Sequence, residues 1–170
     1  MSGKPRVKAP DSNSGNLIQD SALGLVPETL PHYLELTVAI WDLGPLPPAD
    51  IELARLRNAA YVDCVMCQAV RYDVAVEDGL KESDIDSMRS DAKAGLSARQ
   101  QVIIDFVDHY LHTPGPIDTA LQAALDAHLS ADEQSHLALL MAYFNGFSRC
   151  AVALGGMPES MPRMEISVPR

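Results

Sequence analysis

The chain has 170 residues, 13 Lys and Arg against 23 Asp and Glu, and a net charge of −10. That length suits one domain able to bury a core without disulfide staples, and the acidic balance works against nucleic-acid binding and against anionic membranes. Its three cysteines, with no secretory pattern in the polar first twenty residues, fit a reducing compartment, so a cytoplasmic location is expected. No uninterrupted apolar run approaches the ~18 residues that span a bilayer.

Taken in chain order, residues 1–20 are Ser-, Asn- and Pro-rich and are expected to form a disordered arm. Leu30, Tyr33, Leu34, Leu36, Thr37 and Ile40 recur at helical spacing within residues 26–41. Gly44-Pro45-Leu46-Pro47-Pro48 breaks that segment, and Asp50 is placed to cap a helix over 51–61. A helix over 64–77 follows, ended by Asp78-Gly79. Ser83 and Asp84 suggest a short capped helix, and Ser97 opens a longer one carrying Ile103, Phe106, Val107, Tyr110 and Leu111. Pro114-Gly115-Pro116 stops it; Ile117, Leu121, Ala124 and Leu125 stripe the next. Ser130 with Glu133 is a capping-box pattern before the last helix. No alternating strand of useful length is visible, so the fold is expected to be all-α.

Residues 137–147 contain one clearly polar side chain, Asn145. A helix apolar nearly all round needs covering on most sides, and a neighbouring subunit is the expected cover, its own chain the alternative.

Chemistry concentrates at Asp63-Cys64-Val65-Met66-Cys67, with Glu52 twelve residues before Cys64. Two cysteines at this spacing near a helix start form a redox dithiol whose thiolate the exposed N–H groups favour. Inert core cysteines and a metal pair are the competing readings. Cys150 lies far off in an apolar run, and His109 and His112, spaced three apart, find ordinary partners in Asp105 and Asp108. His128 reads as a boundary residue and His136 as solvated. Tyr61 and Tyr72 flank the dithiol, while His32 and Trp41 precede it and could cover it.

The run Leu46-Pro47-Pro48-Ala49-Asp50-Ile51-Glu52-Leu53, then Leu56, Ala59, Ala60, Cys64-Val65-Met66-Cys67, Gly79, and the closing stretch from Asp132-Glu133 to Asn145-Gly146-Phe147-Ser148-Arg149 resemble the carboxymuconolactone decarboxylase superfamily in its alkylhydroperoxidase AhpD-like branch. The resemblance spans residues 25–158 and implies an AhpD-like all-helical domain over 21–158, a C-terminal tail over 159–170, and a homo-oligomer (dimer, trimer or hexamer) with sites near subunit contacts. It implies a cofactor-free peroxidase: Cys67 attacks a hydroperoxide, Cys64 resolves the sulfenic acid, Glu52 moves protons, and a lipoyl-bearing or thioredoxin-like dithiol partner regenerates the pair.

The family motif places a histidine four residues after the second cysteine, where this chain has Arg71, and often another between the cysteines, where it has Met66. On a continuous helix Arg71 would share a face with Cys64, Cys67 and Gln68 and bias Cys67 toward its anion; otherwise it pairs with Glu52 or Asp78. Two other functions are open. A decarboxylase-like lyase would use Arg55, Arg57 and Arg71 to hold a carboxylate substrate, and a non-catalytic oligomer would use the dithiol as a redox sensor.

Overall fold

A computed structural model describes residues 4–90 and 93–169. Among them the helices are α1 (Leu30–Val38), α2 (Pro48–Tyr61), α3 (Val65–Ala69), α4 (Asp73–Glu77), α5 (Glu82–Arg89), α6 (Ala98–His112), α7 (Thr119–His128) and α8 (Ala131–Leu154). Short 3₁₀ turns lead into α1, and a π-turn, Ala39–Leu43, extends it. The expected all-helical architecture holds, apart from a small parallel pairing of β1 (Val70–Tyr72) with β2 (Met164–Ile166).

Local signals set most of the boundaries. Ser97 and Ser130 each accept from the backbone N–H three residues on, and Gln100 and Glu133 return the bond to the caps. Asp118 caps α7 by accepting from the Leu121 N–H at 2.8 Å. Asp50 does not cap α2, which starts at Pro48 with Pro47 as its cap; a proline in the first turn sacrifices an N–H that has no partner there. Asp50 is instead buried and takes Nε of Arg99 at 2.8 Å. The short helix expected from Ser83 is capped at Lys81, whose N–H goes to the Asp84 carboxylate.

The central element is α2, packed against α3, α4, α5, α6 and α8. It buries Ile51, Leu53, Ala54, Leu56 and Ala59 together with Glu52, Arg55 and Asn58. The near-wholly apolar α8 lies to one side. It buries Leu137, Leu140, Met141, Tyr143, Phe144 and Ser148 and leaves Ala138, Leu139, Ala142 and Gly146 exposed. Its own chain therefore covers one side and not most of them. By length and composition alone α8 could cross a membrane, with 33% of its most apolar window buried; its polar residues His136, Asn145 and Ser148 take partners within the fold.

His136 departs from expectation. It is 6% exposed, its Nδ1 accepts from the Leu46 N–H at 3.3 Å, and burial lowers its pKa. Gly44 makes room for it, since a Cβ there would sit 1.9 Å from Cε1 of the imidazole.

The N-terminal arm holds a local turn within residues 12–20. Asp20 gathers Ser12 Oγ, the Ser14 N–H and hydroxyl, and the Gly15 N–H into one hydrogen-bonded loop. Short polar side chains here organise the backbone locally, and Arg6 N–H reaches Leu154 O at 2.9 Å. Residues 1–3 of that arm and residue 170 of the tail lie outside the described residues.

Candidate active site

Helix α2 ends at Tyr61, and Asp63, in the left-handed region at φ 54°, turns the chain back. Aspartate tolerates that conformation better than most residues. The reversal lets the Cys64 N–H reach Ala59 O at 3.0 Å and makes Cys64 the cap of α3. Cys64 and Cys67 are joined as a disulfide. Cys64 is fully buried, while Cys67 is partly exposed and faces a cavity of about 260 Å³. The cavity wall includes Tyr33 and Thr37 of α1, Arg55, Met66, Val70, Tyr72, and Phe144, Phe147 and Ser148 of α8. Leu17 and Ile18 of the arm and Ile166 of the tail complete it.

The helix expected over 64–77 is broken. It stops at Ala69 and gives way to β1 before resuming as α4. The cause lies mainly outside the segment. Arg55 donates to Cys67 O at 2.7 Å and to Val70 O at 2.8 Å, so those carbonyls are bound by a side chain. Val70, Arg71 and Tyr72 then pair with Met164, Glu165 and Ile166. With only five residues, α3 offers no sizeable macrodipole, and the Cys67 N–H points at Cys64 Sγ at 3.2 Å. In the disulfide form the N–H at the start of α3 therefore meets the Cys64 sulfur.

Arg71 accordingly does not share a helical face with the cysteines. Its Nε and Nη2 hold Glu82 at 2.9 and 3.2 Å, and Nη1 donates to Gln68 O and Val70 O. Its partner is neither Glu52 nor Asp78. The hydrogen bonds with Arg71 hold the Glu82 carboxyl below its ordinary range.

The cation at the dithiol is Arg55. It forms a two-pronged pair with Glu52, Nε to Oε2 at 2.6 Å and Nη2 to Oε1 at 2.7 Å, with Glu52 wholly buried. The Tyr72 N–H also approaches Glu52 Oε1 at 3.4 Å. Burial works against the Arg55 charge, but Glu52 outweighs it and raises the pKa above the ordinary arginine value. The guanidinium lies 5.4 Å from the centre of the Tyr72 ring, and burial pushes the Tyr72 phenol up to about 12. Glu52 therefore reaches the dithiol through Arg55, by fixing the residue that grips the Cys67 carbonyl.

Behind the wall residues Tyr33 and Thr37, Tyr143 meets the Thr37 hydroxyl and stacks on Tyr33, with centroids 5.3 Å apart. Burial raises the pKa of both phenols, most of all that of Tyr143. Trp41 packs on Tyr72 at 4.4 Å. Tyr61 is exposed, against His112, and His32 is exposed beside Glu35, so neither covers the dithiol. His112 Nδ1 meets Asp108 O at 2.7 Å, and the His128 carbonyl accepts from Arg99. Cys150 is exposed and free.

Sequence reading missed the Glu52–Arg55 pair, whose signal was an acid and a base three apart on one helix, and the polar contacts of Asn58, Asn145 and Ser148 around Cys67. The signal for the latter was a set of isolated amides and a hydroxyl within apolar helical stretches. Tyr33, Thr37 and Tyr143 gave none that separated them from core.

No family model matches the chain. It is similar to two proteins described as uncharacterized from two strains of Mycobacterium tuberculosis, 26% identical to each over 162 residues, covering 89% of this chain and 56% of the relative. The chain thus spans about half the length of the curated relatives it matches.

Proposed function

We propose that the protein is a cofactor-free thiol oxidoreductase of the alkylhydroperoxidase type, within the carboxymuconolactone decarboxylase superfamily. The observation that carries this reading is the Cys64–Cys67 disulfide at the wall of an aromatic-lined cavity, with the partly exposed Cys67 facing it. In the reduced protein the Cys67 thiolate attacks the terminal oxygen of a hydroperoxide; the O–O bond breaks, Cys67 becomes a sulfenic acid, and the departing alkoxide takes a proton to leave as an alcohol. The Cys64 thiol then attacks the Cys67 sulfur, forming the disulfide and releasing water. An external dithiol, lipoyl or thioredoxin-like, transfers two electrons and two protons to restore the pair.

Cys67 is assigned the attack because Cys64 is sealed from the cavity. Glu52 and Arg55 hold the loop that presents it. The Arg71 side chain is taken up by Glu82 and the Gln68 and Val70 carbonyls, so the thiolate-biasing role expected of it passes to groups that touch the cavity. The exposed Ala138, Leu139, Ala142 and Gly146 face of α8 supports assembly with further copies of the chain.

The test is a free-thiol count on reduced protein before and after one equivalent of cumene hydroperoxide. Two thiols per chain are expected to disappear, with Cys67→Ser losing the reaction and Cys64→Ser halting at the sulfenic acid. An unchanged count in the unmodified protein removes the proposal.

A further inference from the structure

Four donors line up toward Cys67. Nε of Arg149, on the exposed side of α8, donates to Asn145 Oδ1 at 3.0 Å. Asn145 Nδ2 donates to Asn58 Oδ1 at 2.7 Å, and Asn58 Nδ2 donates to Ser148 Oγ at 3.3 Å. Ser148 Oγ lies 3.7 Å from Cys67 Sγ. A disulfide sulfur carries no hydrogen, so the hydroxyl is the donor in that last contact. Asn58 is wholly buried and Ser148 is 8% exposed, which limits competition from water at the inner end of the chain.

The direction of the chain matters more than its length. Each amide is turned by the donor behind it, so the Ser148 oxygen has an acceptor site filled by Asn58 and its hydrogen left for sulfur. Hydrogen bonds arranged head to tail polarise one another, and here the first member is the Arg149 guanidinium. Arg71 is spent on Glu82, and Arg55 on Glu52 and two carbonyls. Among the described residues, Ser148 is the side-chain donor within hydrogen-bonding distance of the Cys67 sulfur.

We propose that Ser148 is a catalytic residue that donates its hydroxyl to the Cys67 thiolate, with Asn58, Asn145 and Arg149 as the positioning residues that aim it. When the disulfide opens, the sulfur gains a negative charge, and the waiting hydroxyl stabilises it without reorganisation. As the thiolate attacks, the same hydroxyl lies beside the forming S–O bond. This inference rests on the reading of Cys67 as the attacking thiolate.

The experiment is the rate of iodoacetamide alkylation of Cys67 from pH 5 to 10 in the reduced full-length chain. Peptide-resolved mass spectrometry separates Cys67 from Cys64 and Cys150, and circular dichroism checks each variant's fold. Ser148→Ala is expected to raise the midpoint pH and to lower the rate at pH 6.5 about tenfold, the scale of a hydrogen bond to a charged group. The limiting rate at pH 10 should be unchanged. Ser148→Thr, which keeps the hydroxyl, returns the midpoint toward the parent value. Arg149→Gln, on the exposed side where the core is not at risk, shifts the midpoint in the alanine direction by a smaller amount, roughly twofold in rate. A Ser148→Ala midpoint equal to the parent, or a rate lowered equally at every pH, overturns the proposal, as does a folded threonine variant that stays at the alanine value. No movement in Arg149→Gln overturns the aligned chain. The titration needs no peroxide, so a shifted midpoint without hydroperoxide turnover would sink the peroxidase reading and leave this inference standing. Turnover with an unshifted midpoint would do the reverse.

Discussion

Helices α2 and α8 invert what their compositions suggest. α2 carries Asp50, Glu52, Arg55 and Arg57 yet runs through the centre of the fold; α8 is almost wholly apolar along residues 137–147 and leaves a side open. The difference is pairing. Every one of those four charges has a fixed counterion: Asp50 with Arg99, Glu52 with Arg55, and Arg57 with Asp108 through Nε at 2.6 Å. A buried charge is tolerable when its partner and remaining hydrogen bonds are supplied. The cysteine pair follows the end of α2, and of these four ions Arg55 lines the cavity beside it.

The harshest way to break the comparison is Glu52→Gln. It strands the Arg55 guanidinium, 5% exposed, without its counterion, and loss of one partner from a buried pair costs about 3–5 kcal/mol. Urea unfolding should show that loss, and Cys67 alkylation should lose its selectivity as the grip on the Cys67 and Val70 carbonyls loosens. Replacing both partners with apolar residues of similar volume should recover much of the stability. A loss below about 1 kcal/mol in the single variant would mean that water reaches Arg55 and that α2 is not sealed.

Arg71→His sharpens the contrast between the inner and outer arginines. The substitution restores the residue that the resembled family carries, yet here the position belongs to a strand whose side chain holds Glu82 and two carbonyls. The expected result is no gain in hydroperoxide turnover and a stability loss of about 1–2 kcal/mol, from hydrogen bonds made by a charged donor. A clear rise in turnover near pH 7 would show that position 71 addresses the sulfurs after all.

These two arginines also show what was legible. Helix starts at Ser97 and Ser130, the stop at Asp78-Gly79 and the dithiol spacing are local signals, and each stands where expected, Gly79 at φ 95°. The break after Ala69 could not be read, because it depends on Arg55 from another helix and on a strand more than ninety residues away in sequence. Hydrophobic pattern likewise ranks helices by composition, whereas burial of α2 depends on counterions contributed by α6 and on a pair within the helix itself. The cysteine pair was legible; the polar groups packed near it were not, since an asparagine or serine inside an apolar helix carries no label for its partner.

His136 tests the inner side of α8 by pH. Burial depresses its folded-state pKa below the ordinary 6.5. The unfolded chain then binds the proton first, so stability is full above pH 6.5 and falls as pH drops through that value toward the folded pKa. Within that window the slope should be at most about 1.4 kcal/mol per pH unit. Urea midpoints at pH 7.5, 6.5 and 5.5 check it, with His136→Gln flattening this contribution. An unchanged slope in the variant would assign the pH dependence elsewhere.

The outer side of α8 should give the smallest effect on stability and the clearest one on assembly. Leu139 is 53% exposed and stands among Ala138, Ala142 and Gly146, so within one chain its side chain contributes little to the core. Leu139→Ser should change the unfolding free energy of the isolated chain by no more than about 0.5 kcal/mol. If copies of the chain meet on this face, the same change removes apolar contact from the centre of the interface, and light scattering should report a smaller species at equal concentration. A loss above about 1 kcal/mol in the monomer would instead show that α8 is covered by its own chain. The inversion between α2 and α8 would then be narrower than the exposed residues indicate.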